Sequence, residues 1–281
     1  MPGQATLVDR SRPFLTRNVF VAMLIVVSAC AGSAWTVTGV VGVAEALARG
    51  VMDHKVLWVC LGISVWHLIR DDSPIVGGAH LVASLPALVL VAMAGGIWPW
   101  VGLSVSLYML LTTNGRWWGR ARTGVLIALA ASVHVVGLDL LGQLGGDAVL
   151  SVEAGIAGFL ASWMWPDVQV HGTALQLPGG HMLVLVWGCS ALSNLGDAML
   201  LFWALASVAV SGPIPRQLMV RFIGCAITLA GITIALNTLR LVLMACEPGL
   251  YAYLHSGQGA VFFRLAILGV TAAMSMVVRP R

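Results

Sequence analysis

Long apolar runs separated by short polar breaks recur through the whole sequence, and they constrain its fold more than any other feature. Hydrophobic residues make up 59% of the chain and charged residues only 9%, so a water-soluble fold would lack the polar surface it needs. A run of about twenty apolar residues is long enough to cross a bilayer as a helix. The sequence therefore predicts an all-α polytopic membrane protein with a single integral membrane domain over residues 1–281.

The apolar runs and their breakers predict about eight transmembrane helices. The second and fourth runs are short for a hydrocarbon core of about 30 Å, so they either extend into their flanks or form half-spans. The predicted spans are 19–43, 56–69, 75–96, 98–113, 123–142, 190–211, 218–246 and 260–278.

The basic residues predict the sidedness of these helices. With the N-terminus inside, eleven of the fifteen Lys and Arg residues lie on the cytoplasmic side, as the positive-inside rule requires. This alternation favours an even number of spans with both termini cytoplasmic. A net charge of +4 with this distribution gives no indication of nucleic-acid binding. The eleven residues are Arg10, Arg12, Arg17, Arg70, Arg116, Arg120, Arg122, Arg216, Arg221, Arg279 and Arg281.

Residues 145–188 form the longest segment between predicted spans, and the topology places them on the extracytoplasmic side. Residues 148–165 are apolar and end in tryptophans, which favours a small helix lying at the membrane interface. Beyond it, partial alternation in 168–177, a Pro-Gly-Gly turn and an extended run over 182–187 predict a small β-hairpin. This hairpin leads directly into Cys189.

Three polar positions in the C-terminal half carry side chains suited to acyl transfer. Cys189 is predicted to begin a helix, where unpaired N–H groups and the helix dipole favour a thiolate and can receive an oxyanion. Arg240 lies within a predicted span, where a charge is expensive and is therefore a functional candidate. Asn237, one turn earlier, shares its face and can hydrogen-bond the guanidinium or a substrate. His255 follows in a glycine-containing loop and is suited to act as a base.

Each of these residues also has a simpler interpretation. Arg240 could extend toward the lipid headgroups, and His255 could be a solvated loop histidine. Cys189 and Cys246 could form a structural disulfide near the outer ends of their helices. The cysteines show no spacing typical of a zinc site. The residues before Cys30 resemble a lipoprotein cleavage box, although the apolar run continues beyond it and favours an uncleaved helix.

Three further residues are candidates for supporting roles. Ser190 is next to the thiol, and Asp197 lies two helical steps of four residues after Cys189, so the two are predicted to share a face. Arg264 begins the last predicted span, where it could contact substrate carboxylates or anchor the helix at the interface. Intramembrane histidines also leave a haem-carrying subunit as an alternative; these are His67, His80 and His134.

The order of these motifs resembles the exosortase/archaeosortase family. The resemblance covers about the last 140 residues, 144–281, whereas 1–143 look like variable N-terminal helices. Gly188 and Ala191 depart from the Cys-Ser-Gly pattern that members often show, which leaves the subfamily open. The matching features are the segment 172–178, the extended run into Cys189-Ser190, the following helix, Asn237-x-x-Arg240, and His255 with its glycines.

The resemblance implies a membrane-embedded cysteine transpeptidase or protease that needs no cofactor or metal. In such an enzyme Cys189 is the nucleophile, His255 the base, and Arg240 with first-turn amides stabilises the oxyanion. Its partners are the lipid bilayer and exported proteins that end in a short motif, a transmembrane helix and a basic tail. The implied location is the bacterial cytoplasmic (inner) membrane, with the active site facing outward. A transporter or a cofactor-carrying membrane subunit is the alternative.

Overall fold

A computed structural model describes residues 16–35, 55–70, 78–93, 97–113, 120–177, 180–209 and 215–279. Most of these residues are helical, and one small antiparallel sheet interrupts the helices. The helices are α1 (Arg17–Trp35), α2 (Lys55–Ile69), α3 (Gly78–Met93), α4 (Trp98–Thr113), α5 (Arg120–Ala161), α6 (Ala191–Ala209), α7 (Arg216–Cys246), α8 (Pro248–His255) and α9 (Gln258–Val277). The strands are β1 (Gln169–His171), β2 (Ala174–Gln176) and β3 (Met182–Val184), and a 3-10 turn at Trp187–Cys189 joins β3 to α6.

Several predicted features lie outside the described residues. They are residues 36–43 of the first span, 75–77 and 94–96 of the third span and 210–211 of the sixth span, the arginines at positions 10, 12, 116 and 281, and the Pro-Gly pair at 178–179.

Four helices in the described ranges are long and apolar enough to cross a membrane. They are α5, α6, α7 and α9, whereas α1 to α4 are apolar but shorter. These helices support the predicted class of helical membrane protein. The predicted count of eight spans is not confirmed.

The helix α5 differs from the sequence prediction. The sequence predicts a span over 123–142 and a separate interfacial helix over 148–165, whereas the structure has one helix of 42 residues. At about 1.5 Å per residue this helix is about 60 Å long, roughly twice the hydrocarbon core. Gly142 and Gly146, where the prediction placed a break, lie against the indole of Trp187. A Cβ at Gly142 would lie 3.2 Å from that ring. These glycines therefore allow Trp187 to approach the helix closely, and they do not end it.

Two of the apolar cores are joined by α5. Its first half packs with α1 to α4 and part of α6, and includes Val125 and Ala128. Its second half contributes Leu150, Ala154 and Ala157 to a core shared with the sheet, α7 and α8. One continuous helix thus connects the N-terminal helices to the part of the molecule that contains Cys189.

The predicted β-hairpin is part of a three-stranded antiparallel sheet with the order β1-β2-β3. Val170 pairs with Leu175, and Leu175 pairs with Leu183. Leu175 and Leu183 are buried in the core that contains the second half of α5. Gly158 of α5 leaves room for the sheet, because a Cβ there would overlap Val170. The sheet is therefore held on α5, and β3 leads from it into the turn at Cys189.

Gly124 permits a close crossing of α5 over α2. A Cβ at this position would lie 2.6 Å from the carbonyl oxygen of Ser64, and the Ser64 hydroxyl donates to the Gly124 carbonyl at 2.7 Å. We expect Gly124→Ala to destabilise the protein by about 1–3 kcal/mol, because the two backbones must separate. The expected result is a lower midpoint of thermal unfolding in detergent.

Gly137→Ala on the same helix is the matched control. A Cβ at Gly137 meets nothing within 4 Å, and alanine favours the helix over glycine. This variant should keep or raise the unfolding midpoint. Equal midpoints for the two variants would contradict the close crossing.

Candidate functional site

Cys189 is the last residue of the 3-10 turn between the sheet and α6. Its side chain is 4% exposed, and its backbone N–H donates to the Val186 carbonyl at 2.7 Å. The sequence predicts that Cys189 begins the helix, but α6 begins at Ala191. The extended backbone of Ser190 separates the turn from the helix, so the thiol precedes the first helical turn.

His255 lies next to this thiol. The Cys189 Sγ and His255 Nδ1 atoms are 3.5 Å apart. The sequence predicts a loop histidine, whereas His255 is the last residue of α8. The ring of Tyr251, one turn earlier, stacks on the imidazole with a centroid distance of 5.1 Å and an interplanar angle of 9°. Helix geometry and this stacking together orient the imidazole toward the sulfur.

Arg240 connects α7 to the end of α8 that carries His255. Its side chain is 6% exposed. The Nε atom donates to the Leu254 carbonyl at 2.9 Å, and Nη2 donates to the His255 carbonyl at 3.3 Å. The Arg240 side chain therefore bonds groups within the protein and does not take the alternative conformation, in which it would extend toward the lipid headgroups. Since His255 also contacts the Cys189 sulfur, these bonds bring Arg240 to the same cluster of side chains.

Asn237 holds the backbone of the cysteine. Its Nδ2 donates to the Cys189 carbonyl at 2.9 Å, and its Oδ1 accepts from Asn194 Nδ2 at 3.1 Å. Asn194 Nδ2 also lies 3.1 Å from the Ser190 carbonyl. The sequence predicts that Asn237 bonds the guanidinium or a substrate. The structure instead places it against the peptide groups beside the thiol.

Glu153 of α5 contacts the start of α6. Its Oε1 accepts from the Ser190 hydroxyl at 2.7 Å and from the amides of Ala191 and Leu192 at 3.0 and 3.4 Å. Its Oε2 lies 3.1 Å from the Ala191 amide. The sequence suggests that such first-turn amides receive the oxyanion, but in this structure a carboxylate already occupies them.

Glu153 and Asn194 are the site residues that sequence reasoning missed. Glu153 interrupts the apolar segment 148–165, and a carboxylate in such a segment is itself a signal of function or of a specific partner. Asn194 lies one turn after Ser190, and helical spacing places the two on one face. No sequence signal pairs Glu153 with α6, because that contact depends on how α5 packs.

The contact between the Cys189 thiol and the His255 imidazole includes neither Asp197 nor Arg264. Asp197 Oδ1 is 2.9 Å from Nε2 of His134, so its partner is on α5 and not at Cys189. Gly196 brings the two helices close, because a Cβ there would collide with the His134 ring. Arg264 is exposed on α9.

The cysteines and histidines of the described residues test three alternatives: a disulfide, a metal site and a haem site. All five cysteines are free, so the alternative disulfide between Cys189 and Cys246 is not formed. In the ranges that the structure describes, no group of three or more His, Cys, Asp and Glu side chains could hold a metal ion. His67 contacts the Ser207 hydroxyl at 3.2 Å, and His134 contacts Asp197, so two of the three candidate haem ligands contact protein side chains.

No family model matches this sequence, and no curated protein or solved structure is significantly similar to it. Function is therefore inferred from the residues and their geometry.

An engineered disulfide can test the short distance between Cys189 and His255. In a chain whose other four cysteines are replaced by alanine, we expect His255→Cys to form an intramolecular disulfide with Cys189 under mild oxidation. The reason is that the two side chains already meet, and a disulfide needs Cβ atoms about 3.5–4.5 Å apart. Intact mass after maleimide labelling measures the protected thiols.

Tyr253→Cys in the same background is the control. Tyr253 is exposed and lies two residues before His255, so its thiol should stay open to maleimide. Equal labelling of both double-cysteine proteins would contradict the juxtaposition.

Proposed function

We propose that this protein is a membrane-embedded cysteine transpeptidase or protease. It cleaves the C-terminal sorting tail of exported proteins through a thioacyl-enzyme on Cys189. The observation that supports this most is the 3.5 Å contact between the Cys189 sulfur and the His255 imidazole, which come from segments 66 residues apart. A nucleophile in contact with a base, and a base oriented by a further group, is the arrangement used for covalent catalysis.

In the first step the thiol proton passes to Nδ1 of His255, and the sulfur of Cys189 attacks a backbone carbonyl carbon of the substrate. The new C–S bond moves the carbonyl π electrons onto oxygen, where negative charge develops. The amides near the thiol already have partners. Cys189 and Ser190 donate to the carbonyls of Val186 and Trp187, and the next two amides donate to a carboxylate. We therefore assign stabilisation of the oxyanion to Arg240.

In the second step the oxyanion collapses and the C–N bond breaks. The leaving amine takes the proton from His255, and the acyl group remains on Cys189 as a thioester. An incoming amine then gives a new amide bond, and water gives a carboxylic acid. In both cases the attacking group loses a proton and the thiol is regenerated, so the same residues serve transpeptidation and hydrolysis.

The distribution of charge along α7 supports a site on the extracytoplasmic side. Arg216 and Arg221 lie in the first two turns of this helix, and Arg240 lies near its other end. The positive-inside rule places the exposed arginines in the cytoplasm and hence the thiol outside. A substrate with its own transmembrane helix beside this bundle would present the peptide just beyond that helix. The resemblance to the exosortase/archaeosortase family implies that such substrates carry a short motif, a membrane helix and a basic cytoplasmic tail.

The test is processing of such a tailed protein from the same genome, co-expressed in membranes. Cys189→Ala, Arg240→Ala and His255→Ala should each insert correctly and lower the cleavage rate by about 1000-fold or more, because they remove the nucleophile, the charge stabilisation or the base. Release of the tail is measured by mass. Wild-type protein quenched in acid during turnover should carry the substrate fragment as a thioester on Cys189.

His171→Ala is the matched control for the histidine. His171 is exposed on β1 and contacts Gln169 of the same strand, so its loss should leave cleavage unchanged. Cleavage that survives in Cys189→Ala would exclude covalent thiol catalysis and favour a transporter or a structural subunit.

A further inference from the structure

The turn that carries Cys189 is attached to α5 on both sides of the thiol. On one side the indole of Trp187 lies against Gly142 and Gly146. On the other side the hydroxyl of Ser190 donates to Glu153. These three positions of α5 lie on one face of the helix, since steps of four and seven residues return to nearly the same direction. The helix therefore serves as a fixed support for the turn.

The contact with Glu153 is the polar part of this attachment. Its Oε1 receives three donors: the Ser190 hydroxyl, the Ala191 amide and the Leu192 amide. Oε2 adds only a second contact to the Ala191 amide. A carboxylate is favoured here because a helix N-terminus has unpaired N–H groups and a partial positive charge. The Ser190 hydroxyl also accepts from the Leu192 amide at 3.1 Å, so Ser190 and α6 are held as one unit.

We propose that Glu153 is a positioning residue for Cys189, an inference that rests on the proposed function. It acts through Ser190 and the first turn of α6, and it does not take part in bond making. The opposite side of the cysteine is held by Asn237, which binds the Cys189 carbonyl. The thiol is thereby fixed between α5 and α7. Removal of one support should separate the sulfur from the imidazole. A displacement of about 1 Å can lower a rate by about 100-fold, so the loss of this support should slow the reaction.

Two substitutions separate the hydrogen bonds of Glu153 from its charge. In Glu153→Gln, the amide oxygen can occupy the position of Oε1 and keep its three donors, while the charge is lost. In Glu153→Ala, all of these bonds are lost. We expect Glu153→Ala to lower kcat for tail cleavage by about 100-fold with KM little changed. We expect Glu153→Gln to recover most of that loss.

A readout that needs no substrate is the alkylation of Cys189 by iodoacetamide at neutral pH, in a chain whose other four cysteines are alanine. His255→Ala should slow this reaction about tenfold or more, because it removes the base next to the sulfur. If Glu153 positions the thiol, His255→Ala should have little further effect in the Glu153→Ala background. This double-mutant cycle reports the coupling of the two side chains. General destabilisation alone would not remove that coupling.

Asp139→Ala on the same helix is the control. Asp139 is a half-buried acid that accepts from Gln143 Nε2 at 2.7 Å, and its loss should leave both the alkylation cycle and the cleavage unchanged. Ser190→Ala is the second variant if Glu153→Ala does not fold, since it removes only the shortest bond of the carboxylate. It should weaken the same coupling to a smaller extent.

Full coupling of Cys189 and His255 in Glu153→Ala, or in Ser190→Ala where the former does not fold, would overturn the proposal. So would a Glu153→Gln protein as impaired as Glu153→Ala. These outcomes are distinct from failure of the proposed function. Retained cleavage in Cys189→Ala would reject thiol catalysis, yet the alkylation cycle would still decide whether Glu153 positions the sulfur.

Discussion

The geometry of the site depends on a buried guanidinium that has no bulk water to solvate it. In an apolar interior a charge is tolerated only where protein groups bond it. The last carbonyls of a helix lack partners within that helix, and those of α8 accept from Arg240. One contact thus satisfies both groups and fixes the C-terminal end of α8. The other end is capped by Glu247, whose side chain accepts from the Gly249 amide, so the helix that carries His255 is fixed at both ends.

Asn237 and Arg240 hold Cys189 and His255 from one face of α7. Residues three apart on a helix are neighbours. Asn237 binds the carbonyl of Cys189, and Arg240 binds the carbonyl of His255. Cys189 and His255 therefore share a common support, although they belong to different elements. Their separation of 3.5 Å follows from backbone contacts and from the stacking of Tyr251 on the imidazole.

Features governed by local periodicity were readable from the sequence, and features governed by packing were not. The shared face of Asn237 and Arg240 follows from helical spacing alone. The continuity of α5 through Gly142 depends on the indole of Trp187, which is distant in sequence. The partner of Asp197 is likewise on another helix, and a close approach at Gly196 brings His134 to it. No pattern within one segment specifies such pairings.

The chemistry of the site explains why its cation is an arginine. A guanidinium has five N–H donors in a rigid planar fork, whereas an ammonium is a compact point charge on a flexible chain. Two of these donors hold the end of α8. In the proposed mechanism the same guanidinium also stabilises the negative charge that develops on the substrate oxygen, because the amides around Cys189 are already bonded. A lysine has one nitrogen at the end of its side chain. If that nitrogen bonded the carbonyls at the end of α8, it would be poorly placed for the oxyanion, and if it bonded the oxyanion, the end of α8 that carries His255 would lose its hydrogen bonds. In the proposed mechanism the same side chain therefore positions His255 and stabilises the oxyanion.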